Sequence, residues 1–473
     1  MHEISSLDSV PSKHCRKSVM TLPLFNPDDL PEPPTPAQVA QSMAAGKPRL
    51  RVPIRDQIEI RWASLDDLLE ADHPVRIVWA SVCALDLSSW LSEIKAIERH
   101  VGRDATDPRL LVALWTYATL KGIGSARELA RLCGECLAYQ WLCGGVSVNY
   151  HMLSDFRSQG GEKWDELLTQ IVGVLLDADL VKMERVAQDG MKVRASAGKS
   201  SFRRRGRLEE CLEEARQQVE TLKRLAEEDG EQLTRRQRAA RQRAARERQE
   251  RIEEAMGQCA ELQQQREASA KQSGRKVNEA QASTTDPEAR VMKFPDGGYR
   301  PGYNVQFATD TGSGVIVGVE VTNAGNDSEQ LPPMLDQLEE RYERVPNEAL
   351  VDGGFVTIGA IDQADDHGCT VYAPVKDKEK QRAEGKDPHA RKKGDSDAVA
   401  AWRGRMGTEA AKVIYRLRCQ TAEWVNAQCR NRGLSYVPVR GRPRCRIVAL
   451  MYAIAPNLIV RERLRSAAAS TGV

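Results

Sequence analysis

The sequence predicts an α/β domain built on a mixed five-stranded sheet flanked by helices, interrupted by a helical hairpin and preceded by an all-helical domain. Three observations predict this class. Apolar residues recur at helical spacing through residues 51–160, strand-like segments dominate the second half of the chain, and a heptad pattern separates the first strand from the others. A chain of 473 residues is long enough for two or three such domains.

The composition is typical of a cytoplasmic protein with unevenly distributed charge. Lys and Arg number 69 against 67 Asp and Glu, yet the stretch TRRQRAARQRAARERQER is almost entirely basic. The amino terminus has no apolar core of a signal peptide, and no apolar run reaches the ~18 residues of a membrane span, so no membrane partner is expected. The motif Cys133-Gly-Glu-Cys136 has no second half with zinc-ligand spacing, and the cysteines are expected to be reduced thiols.

The amino-terminal part divides into an arm and a helical domain. Residues 1–50 are rich in proline and polar residues and are predicted to be flexible, as is the tail 466–473. Residues 51–160 are predicted to form about five or six helices separated by short loops. Ser125, three residues before Glu128, is typical of a helix N-cap with an acid in the first turn.

The stretch VAQDGMKVRA predicts the first strand, because apolar and charged residues alternate from Met191 to Arg194. It carries Asp189, and a lone acid on such a strand is most often only a turn or surface residue. Residues 203–276 follow as an inserted antiparallel helical hairpin. Its first arm has apolar residues at heptad spacing, namely Leu208, Leu212, Ala215, Val219 and Leu222.

The remaining elements follow in a regular order. YNVQFATD and GVIVGVEVTN predict two paired strands, NDSEQLPPMLDQLEERY a helix capped by its polar start, EALVDGGFVT a buried strand, IGAIDQADDHG a helix and CTVYAPV the last strand. A charged loop over 375–407 and a long helix from Thr408 to Arg432 complete the domain.

Without the hairpin, the order is strand, strand, strand, helix, strand, helix, strand, loop, helix. That is the order of the RNase H-like fold, whose catalytic acids lie on the first strand, just past the fourth strand and on the helix after the sheet. Asp189, Asp352 and Glu423 occupy these places. The position of Asp189 in this order favours a catalytic role for it over a turn or surface role.

The chain strongly resembles the DDE transposases of bacterial insertion sequences. The resemblance is carried by VAQDGMKVRASAG, SFRRR, STTDPEARVMK, YRPGYNVQ, LVDGGF and YRLRCQTAEWVNAQCRNRGL, and it extends from Val52 to about Val460. It implies that residues 51–160 are the amino-terminal, DNA-binding transposase domain and that residues 161–465 are the catalytic domain.

The resemblance also implies the chemistry of the site. Asp189, Asp352 and Glu423 would be the acidic triad that holds two Mg²⁺ ions, with Mn²⁺ as an alternative. The reaction would be cleavage at the ends of the element, followed by attack of the freed 3′-hydroxyl on target DNA. The expected partners are double-stranded DNA, as terminal inverted repeats and target, and a second copy of the chain as a homodimer on nucleoid DNA. Without metal, the carboxylates should repel one another, so the site should either be loose or contain a carboxyl group with a raised pKa.

The helix that carries Glu423 departs from the pattern of related families, in which a Tyr, two residues, an Arg, three residues, the Glu, six residues and a Lys follow one another. Here four residues separate Arg418 from Glu423, and Arg430 replaces the Lys. On a regular α-helix Arg418 would be turned about 140° from Glu423, whereas Arg416 and Arg430 would share its face. The candidate DNA-contacting residues are Arg203, Arg204, Arg205, Tyr415, Arg416, Arg418 and Arg430.

Other functions remain open at this point. An RNase H-like nuclease would cut DNA without joining strands, and a transposase-derived DNA-binding protein would do neither. Three uncompensated carboxylates argue against the second alternative. A coiled-coil scaffold would account only for residues 207–270 and would leave the sheet unexplained. Asn304 and Asn426 lie near the acids in the sequence; structural hydrogen bonds are their expected role, and orientation of the metal ligands is the alternative.

Overall fold

A mixed six-stranded sheet lies at the centre of the computed structural model, which describes residues 35–38, 62–96, 104–227, 234–274 and 276–471. The strands are β1 (Arg185–Arg194), β2 (Phe202–Arg203), β3 (Ala282–Ser283), β4 (Arg290–Lys293), β5 (Tyr299–Asp310), β6 (Ile316–Thr322), β7 (Glu348–Leu350) and β8 (Thr370–Tyr372). The sheet has the order β4-β5-β1-β7-β8, and β6 also pairs with β5. β2 and β3 form a separate pair.

The sheet combines antiparallel and parallel pairing. β1 is antiparallel to β5 and parallel to β7, and β7 is parallel to β8. The five predicted strands therefore form, in the predicted order. β4 is a sixth strand that the sequence analysis missed, because it is short and pairs with the first residues of the long strand β5.

Helices surround the sheet. Within the described residues they are α1 (Pro74–Cys83), α2 (Ser88–Leu91), α3 (Pro108–Leu120), α4 (Ala126–Glu135), α5 (Leu137–Cys143), α6 (Tyr150–Ser158), α7 (Gly161–Asp177), α8 (Arg205–Glu227), α9 (Arg235–Ser273), α10 (Leu331–Tyr342), α11 (Ile358–Asp366), α12 (Lys378–Ala383), α13 (Asp397–Met406), α14 (Glu409–Arg418), α15 (Trp424–Asn431) and α16 (Arg442–Thr471). The predicted cap at Ser125 is confirmed, since its hydroxyl accepts from the Glu128 amide.

Some predictions need correction or lie outside the described residues. The segment 375–407 is not only a loop, because it contains α12 and α13. α13 forms because Val399, Trp402 and Met406 share a buried face and the Ser396 hydroxyl caps its amino terminus. The predicted arm 1–50, apart from residues 35–38, lies outside the described residues.

α8 and α9 pack along each other as the predicted helical pair. The apolar residues between them form two small clusters, which include Leu208 with Cys259, and Leu212 and Ala215 with Ile252. Val219 and Leu222, further out on α8, are only half-buried. The packing is therefore tightest near the sheet.

The carboxy-terminal helix α16 joins the helical region to the sheet. It packs on β6 and on α1, α3, α6 and α7, and one continuous apolar core contains residues of all these elements. α16 is long and apolar enough to cross a membrane by length and composition, but 67% of its most apolar window is buried in the protein. This burial in the protein explains why the helix is apolar.

Asn457 of α16 supplies hydrogen bonds at the start of β6. Its side chain is fully buried, accepts from the Ile316 amide at 2.9 Å and donates to the Ile316 carbonyl at 2.8 Å. Replacing Asn457 by Leu leaves both backbone groups without a partner, so we expect a loss of about 2–4 kcal/mol in the free energy of unfolding. Urea unfolding checks this, with the exposed substitution Ala469→Ser as control; an unchanged midpoint would contradict it.

Candidate active site

Two of the predicted acids lie where the pairing between β1 and β7 ends. The parallel pairing stops at Ala187 and Leu350, so the edge of β1 beyond Ala187 has no β7 partner. Asp189 lies on this part of β1, while Asp352 follows β7 directly. Both carboxylates are therefore at the carboxyl end of β7.

A single guanidinium connects the predicted acids. Arg418 Nη2 lies 3.0 Å from Asp189 Oδ1, and Arg418 Nη1 lies 2.6 Å from Glu423 Oε1. Asp352 is close enough to interact electrostatically with Arg418. The Asn426 side-chain amide donates to Asp189 Oδ2 at 3.0 Å. The structure thus brings Asp189 and Glu423 into contact with Arg418, and Asp352 interacts with the same guanidinium electrostatically.

A π-helical turn over Cys419–Glu423 explains how Arg418 reaches Glu423. A π-turn forms i→i+5 hydrogen bonds and accommodates an extra residue within a helix. The extra residue between Arg418 and Glu423 is absorbed in this way, and the two side chains contact each other. The prediction that Arg418 points away from Glu423 is therefore wrong, because it assumed a regular α-helix.

Burial dominates the electrostatics of the site. Burial raises the pKa of Asp189, while the charge of Arg418 and the Asn426 amide act against the rise. Burial lowers the pKa of Arg418, but the charges of the neighbouring acids, above all Asp189, outweigh burial and raise the pKa overall. The expected rise at Asp189 is present, and desolvation contributes more to it than repulsion between acids.

Asp327 is a further acid at this site that the sequence analysis missed. It accepts from Asn304 Nδ2 and Gln306 Nε2, each at 2.7 Å from its Oδ1. The sequence predicted a helix capped by this polar stretch; instead α10 begins at Leu331 without a side-chain cap. Asn304 and Gln306, two amides at alternate positions of a buried strand, were the signal that a polar partner must exist.

The three arginines after β1 have partners in the protein. Arg203 donates to nearby backbone carbonyls, Arg204 Nε lies 3.4 Å from Glu279 Oε2, and Arg205 Nε lies 3.0 Å from Glu209 Oε1. Arg204 and Arg205 are exposed. Exposed ion pairs contribute little energy, so these contacts leave both side chains available to a phosphate.

The other candidate DNA contacts lie on the helix of Glu423. Arg416 and Arg430 are exposed and form no ion pair within the described part of the chain. Tyr415 is half-buried, and burial raises the pKa of its hydroxyl to about 12. The charge of Asp352 also raises the pKa of Tyr415, so the Tyr415 hydroxyl lies near the acids.

Two family models match the chain. One described as "Transposase domain (DUF772)" covers residues 63–159, and one described as "Transposase DDE domain" covers residues 276–458. No curated protein and no solved structure matches. Together the two matches define a transposase. The chain belongs to the DDE transposases of insertion sequences, as the resemblance in its sequence indicates.

The matched ranges include two of the three acids but not the third. Asp352 and Glu423 lie inside the DDE match, whereas Asp189 lies between the two matches. Its assignment therefore depends on the position of β1 in the sheet and on the Arg418 contact. The family supports an enzyme of the nuclease or transposase type that acts on DNA.

Domains of this family generally use divalent metal ions. Among the residues described here, no three His, Cys, Asp or Glu side chains converge as a ready metal site. The donor chemistry nevertheless fits a hard cation, because carboxylate oxygens of Asp189 and Glu423 meet at Arg418 and Asn426 Oδ1 is buried without a hydrogen-bond partner in the described chain. Asp189, Asp352 and Glu423 are the residues that would hold the metal, with Asn426 adjacent.

Thr421 supports the π-turn. Its hydroxyl donates to the Leu417 carbonyl at 2.8 Å, inside the segment where the α-helical bonding pattern is interrupted. Thr421→Val keeps the shape but removes the donor, and we expect it to cost about 1 kcal/mol of unfolding free energy. Thr421→Ser keeps the hydroxyl and should cost less. Urea unfolding of both variants compares them, and equal losses would contradict a role for the hydroxyl.

Proposed function

We propose that this chain is a metal-dependent DNA transposase that cleaves the ends of its insertion sequence and transfers the 3′-hydroxyl ends to target DNA. One observation carries the proposal: Asp189 and Glu423, which are distant in the sequence, contact the same guanidinium, and Asp352 interacts with it electrostatically. Three such carboxylates from separate elements are the ligand set that two-metal phosphoryl chemistry needs.

The fold supports this proposal. The order β6-β5-β1-β7-β8 within the sheet, with β1 antiparallel to β5 and parallel to β7, agrees with an RNase H-like core. We therefore propose residues 161–465 as the catalytic domain, interrupted by the hairpin 203–276, and residues 51–160 as the DNA-binding transposase domain. α16 packs on both parts, so the domains share a core rather than being connected by a free linker.

The residues of the site have separable roles in the proposed reaction. Asp189, Asp352 and Glu423 bind metal, for which Mg²⁺ is the expected ion and Mn²⁺ the alternative. Bound divalent ions stabilise charge on the attacking and leaving oxygens. Asn426 holds Asp189 Oδ2 and so fixes the orientation of that carboxylate. Arg418 offsets the negative charge of the acids and keeps them together.

The proposed partners are double-stranded DNA and a second copy of the chain. The terminal repeats of the element and the target DNA would be the substrates. Arg416 and Arg430 are exposed on the helix that carries Glu423, and neither forms an ion pair within the described residues, although Arg416 interacts electrostatically with Glu409. They are therefore available to the phosphates that flank the bond to be cut. Pairing of two element ends favours a homodimer.

The decisive experiment measures cleavage and joining of a DNA that carries the element's own end, in the presence of Mg²⁺. Asp189→Asn, Asp352→Asn and Glu423→Gln should each lower cleavage by more than ~100-fold, because loss of an outer partner of a metal site alone costs 10–100-fold. The matched control is Glu409→Gln, an exposed acid on α14. DNA binding by the variants should persist.

The products separate the remaining functions. Cutting with joined products supports the transposase, and cutting without joining would make the chain a nuclease. Binding of the end DNA without cutting by the native chain would indicate a transposase-derived binding protein. Activity of Asp189→Asn equal to native would remove Asp189 from the site.

The salt dependence of DNA binding tests the two exposed arginines. Each phosphate contact contributes about 0.9 to the slope of log K against log salt, so Arg416→Gln with Arg430→Gln should reduce the slope by about 1.8. Lys386→Gln, in the exposed loop before α13, is the charge-matched control for a single contact. A slope that is unchanged in the double variant would exclude both side chains from the DNA interface.

A further inference from the structure

The segment Asn326–Gln330 belongs to the connection between β6 and α10 and lies against β1 next to Asp189. Asp327 lies against Gly190, where an added Cβ would be 1.9 Å from Asp327 Oδ1 and 2.5 Å from Gln306 Nε2. Because consecutive residues of a strand face opposite sides, Asp327 lies on the sheet face opposite the Asp189 side chain. The close approach requires the absence of a side chain at Gly190.

Buried amides hold Asp327 in this place. Asn304 and Gln306 are almost fully buried, and both donate to the same carboxylate oxygen. Gln188, beside Asp189 on β1, is also buried and donates to Gln306 Oε1 at 3.1 Å and to the Gln330 carbonyl at 3.0 Å. The segment is thus bound to β5 and, through Gln188, to β1, and it packs closely on Gly190 on the other side of Asp189.

The same segment is also bound to the turn that carries Asp352. Ser328 Oγ donates to the Gly354 carbonyl at 3.2 Å. Within that turn, the Gly353 amide donates to Asp352 Oδ1 at 2.7 Å. Asp327 and Ser328 are adjacent in the sequence, so one short segment joins β1 to the Asp352 turn.

We infer that Asp327 is a positioning residue that fixes the distance between Asp189 and Asp352. The carboxylate anchors the segment Asn326–Gln330 on the amides of β5, and Ser328 then holds the Asp352 turn. A metal site needs its ligands in a defined geometry, and a displacement of the turn would lower the rate of the reaction without weakening DNA binding. The inference rests on the proposed function and adds to it a residue outside the acidic triad.

Two substitutions distinguish positioning from direct participation. Asp327→Asn keeps an oxygen that can accept from Asn304 and Gln306, whereas Asp327→Ala removes it. We expect Asp327→Ala to lower kcat for end cleavage about 10–100-fold at unchanged KM for DNA, as loss of a supporting partner does. Asp327→Asn should stay within about threefold of native. Glu329→Gln, an exposed acid in the same segment, is the control.

A second measurement does not depend on activity. Amide hydrogen exchange should become faster in peptides covering Asp352–Phe355 in Asp327→Ala and in Ser328→Ala, but not in Asp327→Asn or Glu329→Gln. Ser328→Ala removes only one hydroxyl group, so it provides the measurement if Asp327→Ala does not fold. Slow exchange in both alanine variants would overturn the inference.

The outcomes separate this inference from the proposed function. If the native chain does not cut DNA, the proposed function fails, while the exchange data still decide whether Asp327 holds the turn. If Asp327→Asn is as inactive as Asp189→Asn, Asp327 acts at the reacting centre and the positioning role is wrong. If Asp327→Ala cuts as fast as native, positioning is also wrong.

Discussion

The buried guanidinium of Arg418 is the interaction on which the candidate site depends. Its side chain is only 9% exposed and contacts both Asp189 and Glu423. A buried charge without a partner costs several kcal/mol, so Arg418 and the largely buried Asp189 require one another in this arrangement. Because Asp189 comes from the sheet and Glu423 from a helix, the same contact fixes how that helix lies on the sheet.

The helix achieves this only through its π-turn. Side chains of Ala411 before the turn and of Val425 and Cys429 after it pack inward, so the helix could not rotate to bring Arg418 to Glu423 without losing this packing. The π-turn absorbs one extra residue, so the two helical segments can both keep their packing while Arg418 is brought to Glu423. π-turns commonly occur at functional sites, and here the reason is geometric.

Local sequence patterns predicted the order of the sheet elements and the positions of Asp189, Asp352 and Glu423. The alternating and continuous apolar patterns of strands can be recognised within a few residues. The three acids were then selected by their positions in the order of strands and helices. The π-turn was not predictable in the same way, because α- and π-turns have no distinct local pattern. Asp327 was assigned to a helix cap because its partners, Asn304 and Gln306, lie on β5, which β6 separates from Asp327 in the sequence.

The helical hairpin shows why β1 can be separated from the rest of its sheet in sequence. β2 and β3 pair across the insertion, through Phe202 with Ser283, and the Ser201 and Ser283 hydroxyls are 2.7 Å apart. The two ends of the inserted chain are therefore held side by side, and a loop whose ends already meet costs little more entropy as it lengthens. The DDE match begins at residue 276, after this insertion. The pairing of β1 with β5 and β7 then restores in space what the sequence interrupts, and it brings Asp189 to Asp352 and Glu423.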